Sequence, residues 1–166
     1  MKKLVVTLLG VILVPLLVVS CGQQAPSGTT AANAQQDESP EGRAFAYRKA
    51  LMETIAWKVA QARGMAQGEI PVDEAAFAKH ARDVAALAGM ITEGFIPNSA
   101  VEGSAALPEV WTNFADFQAK ANDLQTAAQS LADAAGSQGF EAAKGMVQAV
   151  GQTCGGCHRP YRRRQE

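Results

Sequence analysis

Aromatic side chains are few, at 6% of the 166 residues, while alanine recurs throughout. That poverty argues against a β-sandwich, which draws on Val, Ile, Thr and Tyr. The alanine favours closely packed helices. Nor is there an excess of positive charge: 15 Lys and Arg stand against 16 Asp and Glu, a formal net charge of −1. A nucleic-acid binder would carry a basic stripe, so no nucleic-acid partner is expected. No segment sustains a period-two alternation, so no sheet is expected either. The three cysteines are an odd number, which in an exported protein demands an explanation.

The N-terminal residues point to export. Lys2 and Lys3 precede a largely apolar run from Leu4 to Val19. A positive start, a short greasy stretch and then small residues form an export signal. The run falls short of the ~20 apolar residues that a membrane span needs. It ends in Val18-Val19-Ser20-Cys21-Gly22, which resembles a bacterial lipobox, in which the cysteine becomes the first mature residue and carries lipid. An ordinary cleavable signal with an incidental Cys21 is the alternative. Residues Gly22 to Ser39 are rich in Gln, Ala, Ser, Thr and Gly, with almost nothing large and apolar. Such a stretch buries too little surface to offset its ordering entropy. The expected organisation is a lipoprotein-type signal peptide over 1–20, a flexible tether over 21–40 and a folded domain over 41–164. The expected location is the bacterial periplasm, with membrane attachment only through lipidated Cys21.

Four helical segments follow. The first runs from Glu41 to Arg63 with a stripe of Phe45, Met52, Ile55, Val59 and Ala62, ended by Gly64, Gly68 and Pro71. The second begins at Asp73, a good cap, and carries Phe77, Val84, Leu87 and Ile91. His80 sits beside that stripe and is expected to be exposed. A longer connection is marked by Gly94, Pro97, Gly103 and Pro108. The third helix places Val110, Phe114, Phe117, Ala121, Leu124, Ala128, Leu131 and Ala135 in steps of three and four, the seam of a bundle helix. The fourth repeats the seam as Phe140, Ala143, Val147, Val150, Cys154, Cys157 and Tyr161, so both cysteines should point inward. Pro160 predicts a kink or an early end there, since it lacks a donor and crowds the carbonyl of Gly156. The expected fold is all-α, an antiparallel four-helix bundle.

Cys154-Gly155-Gly156-Cys157-His158 is a C-x-x-C-H haem-attachment motif. Two thiols must reach two vinyl groups on one porphyrin edge, and residues three apart on a helix share a side. The adjacent imidazole then supplies an iron ligand. Zinc would need further Cys or His ligands, and a second ligand pair is lacking. A thioredoxin-like motif would sit near a βαβ pattern, and none is present. One covalent haem c, bound in the core near the end of the fourth helix, is therefore expected. With Cys21 lipidated, no cysteine is left over.

Placed at the far end of four helices, the motif makes Glu41 to Arg164 resemble the cytochrome c prime family. Tyr47-Arg48-Lys49-Ala50-Leu51-Met52, Pro108-Glu109-Val110-Trp111 with Phe114 and Phe117, and Tyr161-Arg162 after His158 are similar to that family's patterns. The resemblance implies that His158 is the proximal iron ligand of a five-coordinate haem. It places Met52 over the open face of the iron, Arg48 near a haem propionate and Arg162 near His158. It implies nitric oxide or carbon monoxide as small ligands, electron transfer with an unidentified redox partner, and a homodimer using the first helix, where Trp57 is a candidate contact. Met52 could instead be core filler, Arg48 a solvated helix residue, and Arg162 to Arg164 a complement to the helix dipole. A low-spin electron carrier with Met52 as sixth ligand is the rival function. An enzyme is not expected, because the first-helix seam is mostly apolar and offers few acid–base groups.

Overall fold

The computed structural model describes residues 38–164. The expected signal peptide, nearly all of the tether and Cys21 lie outside the described residues.

Helix α1 spans Pro40–Gln67. Ser39 caps it by accepting the Gly42 amide at 3.0 Å, and Pro40 opens its first turn, where a missing amide costs nothing. The expected stop at Gly64 does not occur, and the helix continues one more turn. Ile70 instead folds back over the bare Gly64 backbone, where a Cβ would sit 3.2 Å from the isoleucine side chain. Gly68, at φ 74°, makes the left-handed stop. Helix α2 spans Glu74–Ala88, and Asp73 caps it by accepting the Ala76 amide at 2.9 Å. Ile91 falls past its end, in a 3₁₀ turn over Ile91–Gly94.

The third segment is broken in two, α3 (Glu109–Thr112) and α4 (Phe114–Ser137). Asn113, at φ −127° and ψ 46°, interrupts it. The α4 seam is as patterned: Phe117, Ala121, Leu124, Ala128 and Leu131 are all buried. The fourth segment is likewise split into α5 (Phe140–Ala143), a 3₁₀ turn over Lys144–Met146, and α6 (Val147–Tyr161). A glycine at 145 inside this stretch weakens the α-helix locally.

Helix α2 packs between α1 and α4, α4 packs on α6, and α6 closes against α1. Short links join α1 to α2 and α4 to α5, so these neighbours run antiparallel. Phe77, fully buried, meets Phe140 edge-on at 4.9 Å and ties α2 to the start of the fourth segment. Among the described residues no strand forms. A single antiparallel bridge joins Ala106 to Arg162.

His80 is the clearest departure from expectation. It is 9% exposed rather than at the surface, its ring edge-on to Trp57 at 5.5 Å. Its Nδ1 is buried with no hydrogen-bond partner. Position 80 lies three residues after Phe77, close enough to the buried stripe to be drawn under α1.

Candidate haem site

The chemistry-bearing residues lie in the last two turns of α6. Val147, Val150 and Tyr161 are buried along its inner face, with Cys154 and Cys157 half-buried between them and packed against the core. One helical turn separates the two thiols, on one side of the helix. Both are free, and burial pushes their pKa values up, Cys157 to about 11. Lys120 of α4 pulls Cys157 down, while Cys154 and Asp116 push it further up. Burial thus favours the protonated thiols at neutral pH.

His158 stands at the rim, exposed as a residue, with enough protein around its ring to lower its pKa. Burial is the larger cause and the Arg162 charge the smaller. A depressed pKa keeps the imidazole neutral, the form in which it can ligate iron. No three His, Cys, Asp or Glu side chains among the described residues cluster as a metal site. That disfavours zinc at the motif. Space is available beside it: a Cβ on Gly156 would meet nothing within 4 Å. Two thiols one turn apart, a neutral imidazole next to the second and an uncrowded helix face fit a covalent haem.

The end of α6 is fastened to two elements, the connection before α3 and helix α4. Pro160 falls inside the helix, which ends one residue later, with Arg162 already extended. The chain beyond then stitches onto the long connection: Leu107 donates to the Tyr161 carbonyl at 3.0 Å, and Arg163 donates to the Ala105 carbonyl at 2.8 Å. The Tyr161 ring is buried edge-on to Phe117 at 5.3 Å, and its hydroxyl donates to Asp116 Oδ2 at 2.6 Å. That carboxylate raises the Tyr161 pKa to about 12. Asp116 had no place in the sequence reading. Its spacing from Lys120 suggests an ordinary i,i+4 pair, which exists at 3.7 Å, but nothing local announces the tyrosine.

Arg48 is no solvated helix residue: it is 4% exposed. Its guanidinium donates to the Gly94 carbonyl at 3.0 Å, to the Ser99 carbonyl and to Ser104 Oγ at 3.0 Å. The rings of Phe45 and Phe95 lie 5.1 and 5.2 Å from it. Gly94 is required at this spot, since a Cβ would lie 2.7 Å from that of Arg48. The connection between α2 and α3 is thus wrapped around a helix-α1 cation, with Trp111 adding an Nε1 bond to the Ile96 carbonyl at 2.8 Å. Ser99 and Ser104 were invisible to a search for periodic patterns because they lie in the irregular connection.

Met52, one turn beyond Arg48, is half-buried against the core between the buried Leu51 and Ile55. Arg162 donates its backbone amide to the His158 carbonyl at 3.0 Å. Trp57 is 56% exposed on the outer side of α1.

The chain resembles known proteins over this whole region. Residues 43–162 match the family model described as cytochrome c'. A cytochrome c-554 of Cereibacter sphaeroides is 31% identical over 133 residues, covering 78% of this chain and 99% of that protein. The structure of cytochrome c prime from Shewanella frigidimarina superposes with a TM-score of 0.70 at 35% identity, covering 75% of this chain and 97% of that one. A nitric oxide complex of a mutant cytochrome c prime from Alcaligenes xylosoxidans superposes with a TM-score of 0.68 at 25% identity, covering 75% and 97%. The family binds a covalent c-type haem. This protein belongs to the cytochrome c prime family and is a c-type cytochrome.

Proposed function

We propose that this cytochrome holds its haem iron through His158 alone and takes nitric oxide or carbon monoxide on the side covered by Met52. The observation that carries this reading is the C-x-x-C-H motif near the end of α6, its two cysteines packed against the core and His158 at the rim, on a helix that contacts α1. Cys154 and Cys157 form the thioether links, fixing the group's edge to α6. When bound, the haem supplies an iron that accepts a small ligand or exchanges an electron. Met52 acts as a gate: its thioether body crowds the approach without offering a hydrogen bond. Arg48 is a buried cation whose protein partners are neutral carbonyls, a hydroxyl and two rings, so a haem propionate is a suitable counter-charge. Arg162 bonds the His158 turn through its backbone amide, and its charge adds to the larger effect of burial in lowering the His158 pKa. The buried α1 residues beside Met52, Leu51 and Ile55, are apolar, which supports ligand binding and electron exchange rather than catalysis.

A second reading is favoured by the incomplete burial of Met52. A methionine not committed to the core can bond the iron as a sixth ligand and raise its potential. Absorption and electron paramagnetic resonance spectra, oxidised and reduced, before and after adding nitric oxide, separate the two. A high-spin haem that takes up the gas supports the gate. A low-spin haem that ignores it makes Met52 a ligand and the protein an electron carrier.

The proposal includes export to the periplasm and a lipid anchor on Cys21. No described helix is long and apolar enough to cross a membrane. If blocking the lipoprotein signal peptidase leaves precursor processing unaffected, the anchor is wrong. It also includes a homodimer through the α1 face that carries the exposed Trp57, which Trp57→Glu followed by sedimentation would disrupt.

A further inference from the structure

A groove of about 660 Å³ runs between the C-terminal half of α1 and the stretch from the 3₁₀ turn into α6. Arg63, Lys144 and Arg159 line it, and no carboxylate does. Gln67, Gln148 and Gln152 add amide groups that can both donate and accept. Although the whole chain has a net charge of −1, the sequence between Glu141 and Glu166 contains Lys144, Arg159, Arg162, Arg163 and Arg164 and neither Asp nor Glu. The one acid at the margin is Glu141, bonded to Lys144 at 2.6 Å, and its side chain is 77% exposed. An exposed pair of this kind is weak and yields readily to a competing carboxylate.

The groove is not the haem seat. Ala66 on its wall lies about 21 Å along α1 from Met52, at ~1.5 Å per residue. Its other end reaches Gly155 and Arg159, inside and beside the haem-attachment motif. We infer that this groove receives an acidic segment of a partner protein and so brings that partner to the edge of α6 where His158 stands. The partner's role in exchanging electrons rests on the proposed function above; the docking itself does not. A concave, amide-lined channel fits a protruding chain better than a flat lipid surface.

The test titrates the full haem-loaded protein with a synthetic oligo-glutamate peptide, by calorimetry and by amide shifts at Gly145 and Gly151. Glycerophosphoglycerol, the water-soluble headgroup of phosphatidylglycerol, is titrated in parallel. Expected are peptide-induced shifts at both glycines and binding abolished near ~0.5 M salt. Arg63→Gln with Arg159→Gln together should weaken it about fivefold at low salt. The inference is overturned by peptide shifts confined to Arg162–Arg164, by unchanged binding in the double variant, or by a headgroup that binds where the peptide does not. Since binding is read without the iron, failure of the haem assignment would show separately, as loss of covalent haem.

Discussion

Replacing Arg48 by leucine is the sharpest probe of how this protein ties α1 to the connection between α2 and α3. The side chain spans from α1 to three acceptors in the connection between α2 and α3. Leucine keeps the apolar contacts with Phe45 and Phe95 but removes every donor. The Gly94 and Ser99 carbonyls are then buried without a partner, at ~1–3 kcal/mol each, or about 4 kcal/mol together. Sparing the guanidinium its own desolvation, which already lowers its pKa, returns part of this. A net loss of about 3 kcal/mol is expected, equivalent to a fall of ~10 °C in unfolding midpoint for a domain of this size. The assay is thermal and urea unfolding of haem-loaded protein followed by far-ultraviolet circular dichroism. A double-mutant cycle with Ser104→Ala isolates the guanidinium–hydroxyl bond, with an expected coupling of about 1 kcal/mol. Arg48→Lys should fall between, since one ammonium cannot span three acceptors. A loss below ~1 kcal/mol for leucine, or no coupling to Ser104, would refute the cage as a stabilising element.

Four other outcomes follow from the same geometry. Tyr161→Phe should lower the unfolding midpoint at neutral pH; the folded pKa is raised from 10.0 to about 12, so the hydroxyl's contribution is complete below pH 10, and the gap to wild type should close between pH 10 and 12. His80→Leu should raise stability by about 1 kcal/mol by removing an unpartnered Nδ1. Its folded pKa is depressed below 6.5, chiefly by burial and then by Lys58, so wild type alone should lose this residue's share as pH falls below 6.5, seen as a widening gap in denaturant midpoints. Met52→Ala should speed carbon monoxide association about tenfold in stopped flow, a barrier lowered by ~1.4 kcal/mol, and an unchanged rate would place Met52 away from the ligand path. Cys154→Ser with Cys157→Ser should abolish haem staining of the band on a denaturing gel; a surviving stained band would sink the attachment assignment.

The regular half of this fold was legible in the sequence because it is repetitive. The steps of three and four from Phe117 to Leu131 can only be a helix seam, and every one of those residues is buried. Asp73 announced its helix through a short polar side chain followed by an acidic first turn. The errors fell where one side chain answers to a distant one. Gly64 looked like a stop because a glycine weakens a helix, yet here it makes room for Ile70, six residues on. His80 looked exposed because its own helix puts it at the edge of the stripe, but Trp57 of α1 lies across it. The break at Asn113 carries neither proline nor glycine, and that at Lys144–Met146 is marked only by a single glycine at 145, which many helices tolerate.

The same division explains why the site needs its irregular surroundings. Near the end of α6 two seam positions go to the half-buried Cys154 and Cys157 of the C-x-x-C-H motif rather than to large apolar side chains. Polar ties join the buried Phe95, Phe117 and Tyr161 in holding this end: Arg48 to the connection, Tyr161 to Asp116, and the Ala106–Arg162 bridge. Pro160 belongs to this arrangement. By ending α6 at Tyr161 it frees the following backbone to pair with residues 105–107, where a longer helix would have carried those amides away from the connection. The proline that looks like a fault in the fourth helix is thus what lets the fourth helix be sewn to the connection between α2 and α3.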